Sequence, residues 1–124
     1  MKITSYKELT AYNKGFDLVK GIYKITAVFP KEEMYGLTSQ IRRAAVSIPA
    51  NIAEGYMRGS KEYVQFLKIA MGSASELETL LTLSRDLKIC SDSAFGKLNG
   101  LIDEIMKLLR AYIRKMTNKL DASR

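Results

Sequence analysis

Residues 39–55 read SQIRRAAVSIPANIAEG, and this run decides the fold. Its apolar residues Ile41, Ala44, Ala45, Ile48 and Ile52 recur at steps of three and four, which puts them on one helical face. A second row, Gln40, Arg43, Ser47, Asn51 and Glu54, runs beside the first and is polar throughout. Ala44, Ala45, Ala50 and Ala53 keep the helix thin. Pro49, in the middle, removes a backbone donor and predicts a kink. A polar row flanked by small residues suits a helix that other helices approach closely. It carries no chemistry of its own, so the residues alone define an architecture and not an activity.

Working outward, this helix spans about residues 35–56, and three more helices surround it. Helix one covers about residues 6–28, with Leu9, Tyr12, Phe16, Val19, Tyr23 and Thr26 as its stripe, widened by Ile22, Ile25 and Phe29. Thr4 or Ser5 is its candidate cap, and Glu8 stands at capping-box spacing from Ser5. Gly15 and Gly21 weaken it unless a neighbour comes close there. The dipeptide Phe29-Pro30 ends it. Gly55 and Gly59 bracket the turn after helix two, and Ser60 is the expected N-cap of helix three, about residues 60–87. There Tyr63, Leu67, Ala70, Ala74, Leu77 and Leu81 keep a seven-residue repeat. Lys88-Ile89-Cys90 makes the next turn, and Ser91, Asp92 or Ser93 caps helix four, about residues 92–118. Its stripe is Phe95, Leu98, Ile102, Ile105, Leu109, Tyr112 and Met116, and the tail from Lys119 is expected to fray. Short links make sequential helices antiparallel neighbours. The fold class is therefore all-α, an up-down-up-down four-helix bundle in one domain over residues 1–124.

Composition is ordinary for a globular protein, 47% hydrophobic and 27% charged. No apolar run is long enough for a membrane span, the N-terminus has no signal-peptide core, and a lone cysteine suits a reducing compartment. A cytoplasmic protein is expected. The net charge of +7 is uneven. Residues 1–31 carry six bases and two acids, residues 32–104 eight bases and ten acids, and residues 105–124 six bases and one acid. In the expected bundle, Lys2, Lys7 and Lys14 meet Lys107, Arg110, Arg114, Lys115 and Lys119 at one end. Such a patch suits phosphate contact, or simply a solvated surface.

Histidine is absent, which removes His-based triads, zinc sites and the Glu-x-x-His pairs of di-iron bundles. Adjacent acids such as Glu32-Glu33 and Asp103-Glu104 diverge around a helix and make no metal set. No Gly-rich phosphate loop occurs, and Cys90 has no positioned base. No catalytic residue, cofactor or metal is expected. Tyr12, Tyr23, Tyr63 and Tyr112 fall on apolar stripes and are expected at the core or its edge. Tyr56-Met57-Arg58 has a composition that can stack on bases, although turn packing explains it as well. Arg43 reads as partly buried, bonded to Glu54 or to a neighbouring chain. Arg42, Arg58 and Lys61 are candidate phosphate contacts.

The run at residues 39–55, the lead-in FPKEEMYGLTSQ at residues 29–40, and SKEYVQFLKIAMGSASELETLL at residues 60–81 together resemble the bacterial proteins encoded by intervening sequences of 23S ribosomal RNA genes. The resemblance covers nearly the whole chain. Accessory proteins of diversity-generating retroelements look related too. The resemblance implies an antiparallel four-helix bundle, assembly as a homopentamer, and a suspicion of RNA or ribonucleoprotein binding. On a ring, the polar row Gln40, Arg43, Ser47, Asn51 and Glu54 would face an adjacent protomer. Two functions follow as expectations: a non-enzymatic RNA-binding oligomer, or a protein–protein adaptor with no nucleic-acid role. No small-molecule substrate is evident.

Overall fold

The computed structural model describes Tyr6 and residues 9–122. It contains α1 (Thr10–Thr26), α2 (Leu37–Arg58), α3 (Ser60–Asp86) and α4 (Asp92–Ala122), with a 3-10 turn at Lys31–Glu33. No strand occurs among the described residues. The proposed caps Thr4 and Ser5, and their partner Glu8, lie outside them.

The second helix buries Ile41, Ala44, Ala45, Ile48 and Ile52, the expected stripe, together with Thr38, Pro49 and Gly55. Pro49 leaves α2 unbroken. Its ring instead packs into α1: a Cβ on Gly15 would lie 3.3 Å from two Pro49 carbons. At Gly55 the approach is closer still, since a Cβ there would meet the Phe66 Cβ at 2.5 Å. The glycine lets α3 pack directly on the α2 backbone. The helix accordingly runs on through Gly55 to Arg58, and Gly59 alone makes the turn, at φ 102°. Only a residue without Cβ adopts that conformation at little cost. Gly59 takes the N-cap position of α3, so Ser60 is already helical rather than the cap.

Burial on α3 matches the repeat, from Tyr63 through Leu81, and adds Ser84. Ser84 O then accepts from the Ile89 and Cys90 amides at 2.8 and 3.1 Å, which closes the turn over a left-handed Lys88 at φ 61°. Ser91 caps α4, its Oγ accepting from the Ala94 amide at 3.1 Å. The fourth helix holds to Ala122 instead of fraying at Lys119, because the partly buried Met116 and Leu120 extend its apolar line by another turn.

The first helix departs furthest from expectation. Its buried residues are Ala11, Gly15, Leu18, Ile22 and Thr26; Leu9, Ile22, Thr26 and Phe29 are buried as expected, but between them the line is turned by one residue from Tyr12, Phe16, Val19 and Tyr23. Phe16 and Tyr23 on that stripe stay nearly half exposed. The small side chains face inward because α2 comes close at Gly15, and this swings the aromatic rings outward. Gly21 meets the same demand from α4, with the Leu98 Cδ2 only 2.8 Å from where its Cβ would be.

Each helix packs on two others: α1 and α3 both touch α2 and α4. Arg42 of α2 meets Thr26 of α1, and Ser47 meets Ser73 of α3. Arg85 of α3 lies over Phe95 of α4, and Lys14 of α1 pairs with Glu104 of α4. Ile22, Ile48, Leu77 and Ile105, one from each helix, are all fully buried in the core.

Replacing Gly55 by Ala is expected to cost about 1–3 kcal/mol, because the obstructing Phe66 Cβ is tied to the backbone. Gly100, which has open space where a Cβ would go, is the control. Its Ala variant should gain roughly 0.5–1 kcal/mol from helix propensity. Urea denaturation of the two variants checks both signs.

Candidate nucleic-acid and partner interfaces

The basic residues of α4 sit where helical geometry puts them. At about 100° per residue, Lys107, Arg110 and Arg114 fall within a narrow arc opposite the buried Ile105 and Leu109. Lys115 lies about a quarter-turn to one side of Lys107 and Lys119 about a third of a turn. All five are exposed. The helix also outreaches its neighbours. Tyr63, near the start of α3, lies within electrostatic reach of Tyr112. From that level α4 continues to Ala122 while α3 ends at Ser60, an excess of about 10 Å among the described residues.

The other proposed phosphate contacts divide between two places. Lys61, in the first turn of α3, is exposed at the end that also carries Tyr63 and Tyr112. Arg58 lies there too, but it is engaged with Glu54 at 3.7 Å, Glu62 at 3.9 Å and the Phe66 ring at 5.0 Å. Arg42 is elsewhere, 16 residues or about 24 Å up α2. Its Nε donates to Thr26 Oγ1 at 2.8 Å, and its guanidinium lies 4.5 Å from the Tyr23 ring centre. Thr26 can accept because its own hydroxyl donates to Ile22 O at 2.7 Å. Arg42 thus fastens α2 to α1.

Lys14, expected in the basic patch, instead binds Glu104 at 2.7 Å across the α1–α4 seam. That ammonium, by hydrogen bond and then by charge, holds the Glu104 carboxyl below its ordinary range. Lys2 and Lys7 lie outside the described residues.

The polar row of α2 splits as well. Gln40, Arg43 and Glu54 are exposed. Ser47 turns to α3, its Oγ 2.8 Å from Ser73 Oγ, and Asn51 Nδ2 donates back to Ser47 O and Oγ at 2.7 and 2.8 Å. Those two residues therefore serve the α2–α3 contact of this chain. The expected bond between Arg43 and Glu54 does not form: about 16 Å of continuous helix separates the two residues, and Glu54 pairs with Arg58 one turn away. Arg43 has no hydrogen-bond or ion-pair partner among the described residues.

Around Arg43 lies an open groove of about 660 Å³, whose lining includes Tyr23, Tyr35, Thr38, Arg42, Val46 and Asn51. Tyr35 is 97% exposed, and Thr38 Oγ1 is buried without a partner. A smaller apolar depression, walled by Phe16, Val19, Val46 and Pro49, adjoins it. Sequence reasoning missed this face, since it assigned Phe16 and Tyr23 to the core. The available signal was the Ala11–Gly15–Leu18–Ile22 line, small enough for close helix contact.

The remaining unusual groups are structural. Tyr6, Tyr12, Tyr56 and Tyr63 form a chain of edge-on ring contacts with centroids 5.1, 6.0 and 5.8 Å apart. Tyr63 is buried, its hydroxyl has no partner among the described residues, and burial, with Tyr112 and Tyr56 nearby, pushes its phenol up to about 12. Cys90 is buried too, which raises its thiol pKa and disfavours the thiolate. Among the described residues no three Cys, Asp or Glu side chains gather to hold a metal, and no helix is long and apolar enough to cross a membrane.

These features define an all-helical protein with a basic projecting helix and an unfilled groove on the outer side of α2. Residues 7–111 match the family model of the 23S rRNA-intervening sequence protein, and the chain belongs to that family. It is similar to the crystal structure, at 1.70 Å resolution, of a protein of unknown function from the S23 ribosomal protein family of Bacteroides thetaiotaomicron. The two are 26% identical with a TM-score of 0.75, over 84% of this chain and 98% of the other. No curated protein matches the chain.

Tyr63→Phe is expected to be neutral at pH 7 or to stabilise by up to about 1 kcal/mol, since the buried hydroxyl gains no bond. The raised phenol also favours the fold fully below pH 10, and that contribution fades as pH climbs toward 12. Thermal melts at pH 7 and pH 11 should show the wild type falling behind Tyr63→Phe at the higher pH.

Proposed function

We propose that this protein is a non-enzymatic, oligomeric helical-bundle protein that binds RNA or a ribonucleoprotein through the outer face of α4. The observation that carries the reading is the projecting arc of Lys107, Arg110 and Arg114, flanked by Lys115 and Lys119. Asp103 and Asp121 bound this arc on the same face, and between them its charges are all basic, which favours a polyanion; phosphate contacts alone need no catalytic group. Lys61 extends the same end of the molecule. The family's name, with its reference to 23S rRNA, is compatible with such a ligand.

The bundle is taken as up-down-up-down. Contacts between successive helices pair rising with falling residue numbers, as in Gly15 with Pro49 and Thr26 with Arg42 for α1 and α2, or Ser47 with Ser73 and Gly55 with Phe66 for α2 and α3. The chain assembles as a homopentamer in the cytoplasm, with Gln40 and Arg43 on the contact face and Ser47, Asn51 and Glu54 behind them. Each copy adds a formal charge of +7, so a ring multiplies the field around any bound polyanion.

The charge-reversal variant Arg110→Glu with Arg114→Glu tests the RNA reading. Its affinity for a structured RNA, measured by filter binding, should drop at least tenfold at low salt, and its salt dependence should flatten. Unchanged binding by a folded double variant would remove α4 from the account. The second reading, a protein–protein adaptor, rests on the apolar groove beside Arg43. Salt-insensitive capture of a protein partner by RNA-free material would favour it.

A further inference from the structure

The groove around Arg43 has an opposite number on another face. Between α3 and α4 lies a second groove, of about 380 Å³, lined by Glu78, Thr82, Leu83, Asp86, Phe95 and Asn99 among others. The first lining contains two arginines and no acid, whereas the second contains two acids and no base. Each combines charge with exposed apolar surface: Tyr35 and Val46 on one side, Leu83 on the other. Each also holds a buried polar atom without a partner among the described residues, Thr38 Oγ1 in the first and Asn99 Oδ1 in the second. Asp86 is partly answered by Arg85 at 3.2 Å, while Glu78 has no ion-pair partner among the described residues.

We infer that the α3–α4 groove of one copy is what occupies the α2 groove of the next, with Glu78 set against Arg43. This rests on the oligomer reading above and names the two faces that meet. Two-fold pairing of like faces would bring Arg43 near Arg43, or Glu78 near Glu78, and like charges oppose it. Opposite faces give a heterologous, head-to-tail contact, the type that generates a ring when its rotation closes. Every copy carries one face of each kind, so every junction is the same. Leu83 covers apolar surface at Tyr35 and Val46, and Arg43 gains the counter-charge that its own chain withholds.

The test is a charge swap read by light scattering on nuclease-treated protein. Arg43→Glu sets an acid against Glu78, and Glu78→Arg sets a base against Arg43, so each single variant should dissociate at least tenfold more readily than wild type. The double variant Arg43→Glu with Glu78→Arg should reassemble, because each junction then again sets one base against one acid. Circular dichroism verifies that all three remain helical. An assembled wild type whose single variants keep full mass would overturn the pairing and leave the oligomer intact. Single variants that dissociate, with no recovery in the double, would also overturn it, because the two residues would not meet. A monomeric wild type would sink both the pairing and the oligomer on which it rests.

Discussion

The structure depends on how closely α2 lets its neighbours approach. Two contacts set that distance. The Pro49 ring occupies the space beside Gly15, and the Phe66 Cβ occupies the space beside Gly55. A Cβ at Gly55 would have to displace Phe66, at 2.5 Å, while one at Gly15 would press on Pro49 at 3.3 Å. Once α1 and α3 are drawn in this far, Ala44 and Ala45 suffice to fill the layer between them, and the larger Ile41, Ile48 and Ile52 interlock with the other helices. Dense interiors gain dispersion energy from many short contacts, so a thin helix in the middle is an advantage and not a gap.

The same constraint shapes the surface. Turning Ala11, Gly15 and Leu18 inward rotates Phe16 and Tyr23 outward, where they border the α2 groove with Val46. Arg42 is drawn into packing by Thr26 and Tyr23, whereas Arg43 has no ion-pair partner among the described residues. Ser47 and Asn51, satisfied across α2 and α3, hold the wall behind it. The grooved outer face of α2 is thus a by-product of the tight internal contact. The basic arc of α4 arises independently, from a helix long enough to project past its neighbours.

Chemistry is thin throughout. The raised thiol of Cys90 and the raised phenol of Tyr63 are first of all consequences of burial, with Asp92 adding to the one and Tyr112 and Tyr56 to the other. Glu104 is shifted only by its surface partner Lys14. What the molecule offers instead is shape and charge: a basic helix face, the groove around Arg43, a groove bearing Lys24 and Lys97 beside Cys90, and the acidic groove of Glu78 and Asp86.

The sequence by itself determined the helices and most of their inward faces. The repeat from Tyr63 to Leu81 and the line from Leu98 to Leu109 are buried as read, because large apolar residues at helical spacing have one favourable direction to face. It also determined the basic arc of α4, which follows from spacing alone. Only the tertiary structure decided which side of α1 turns inward, which of Arg42 and Arg43 is spent internally, and where the polar row of α2 leads. Those outcomes turn on close approach at Gly15 and Gly55. Hydropathy is blind to that approach, because a glycine contributes to packing through what it lacks. Ser60 and Arg58 illustrate the same limit at the α2–α3 link. The end of α2 was set by where α3 had to begin, and the one residue between them had to be able to take a positive φ.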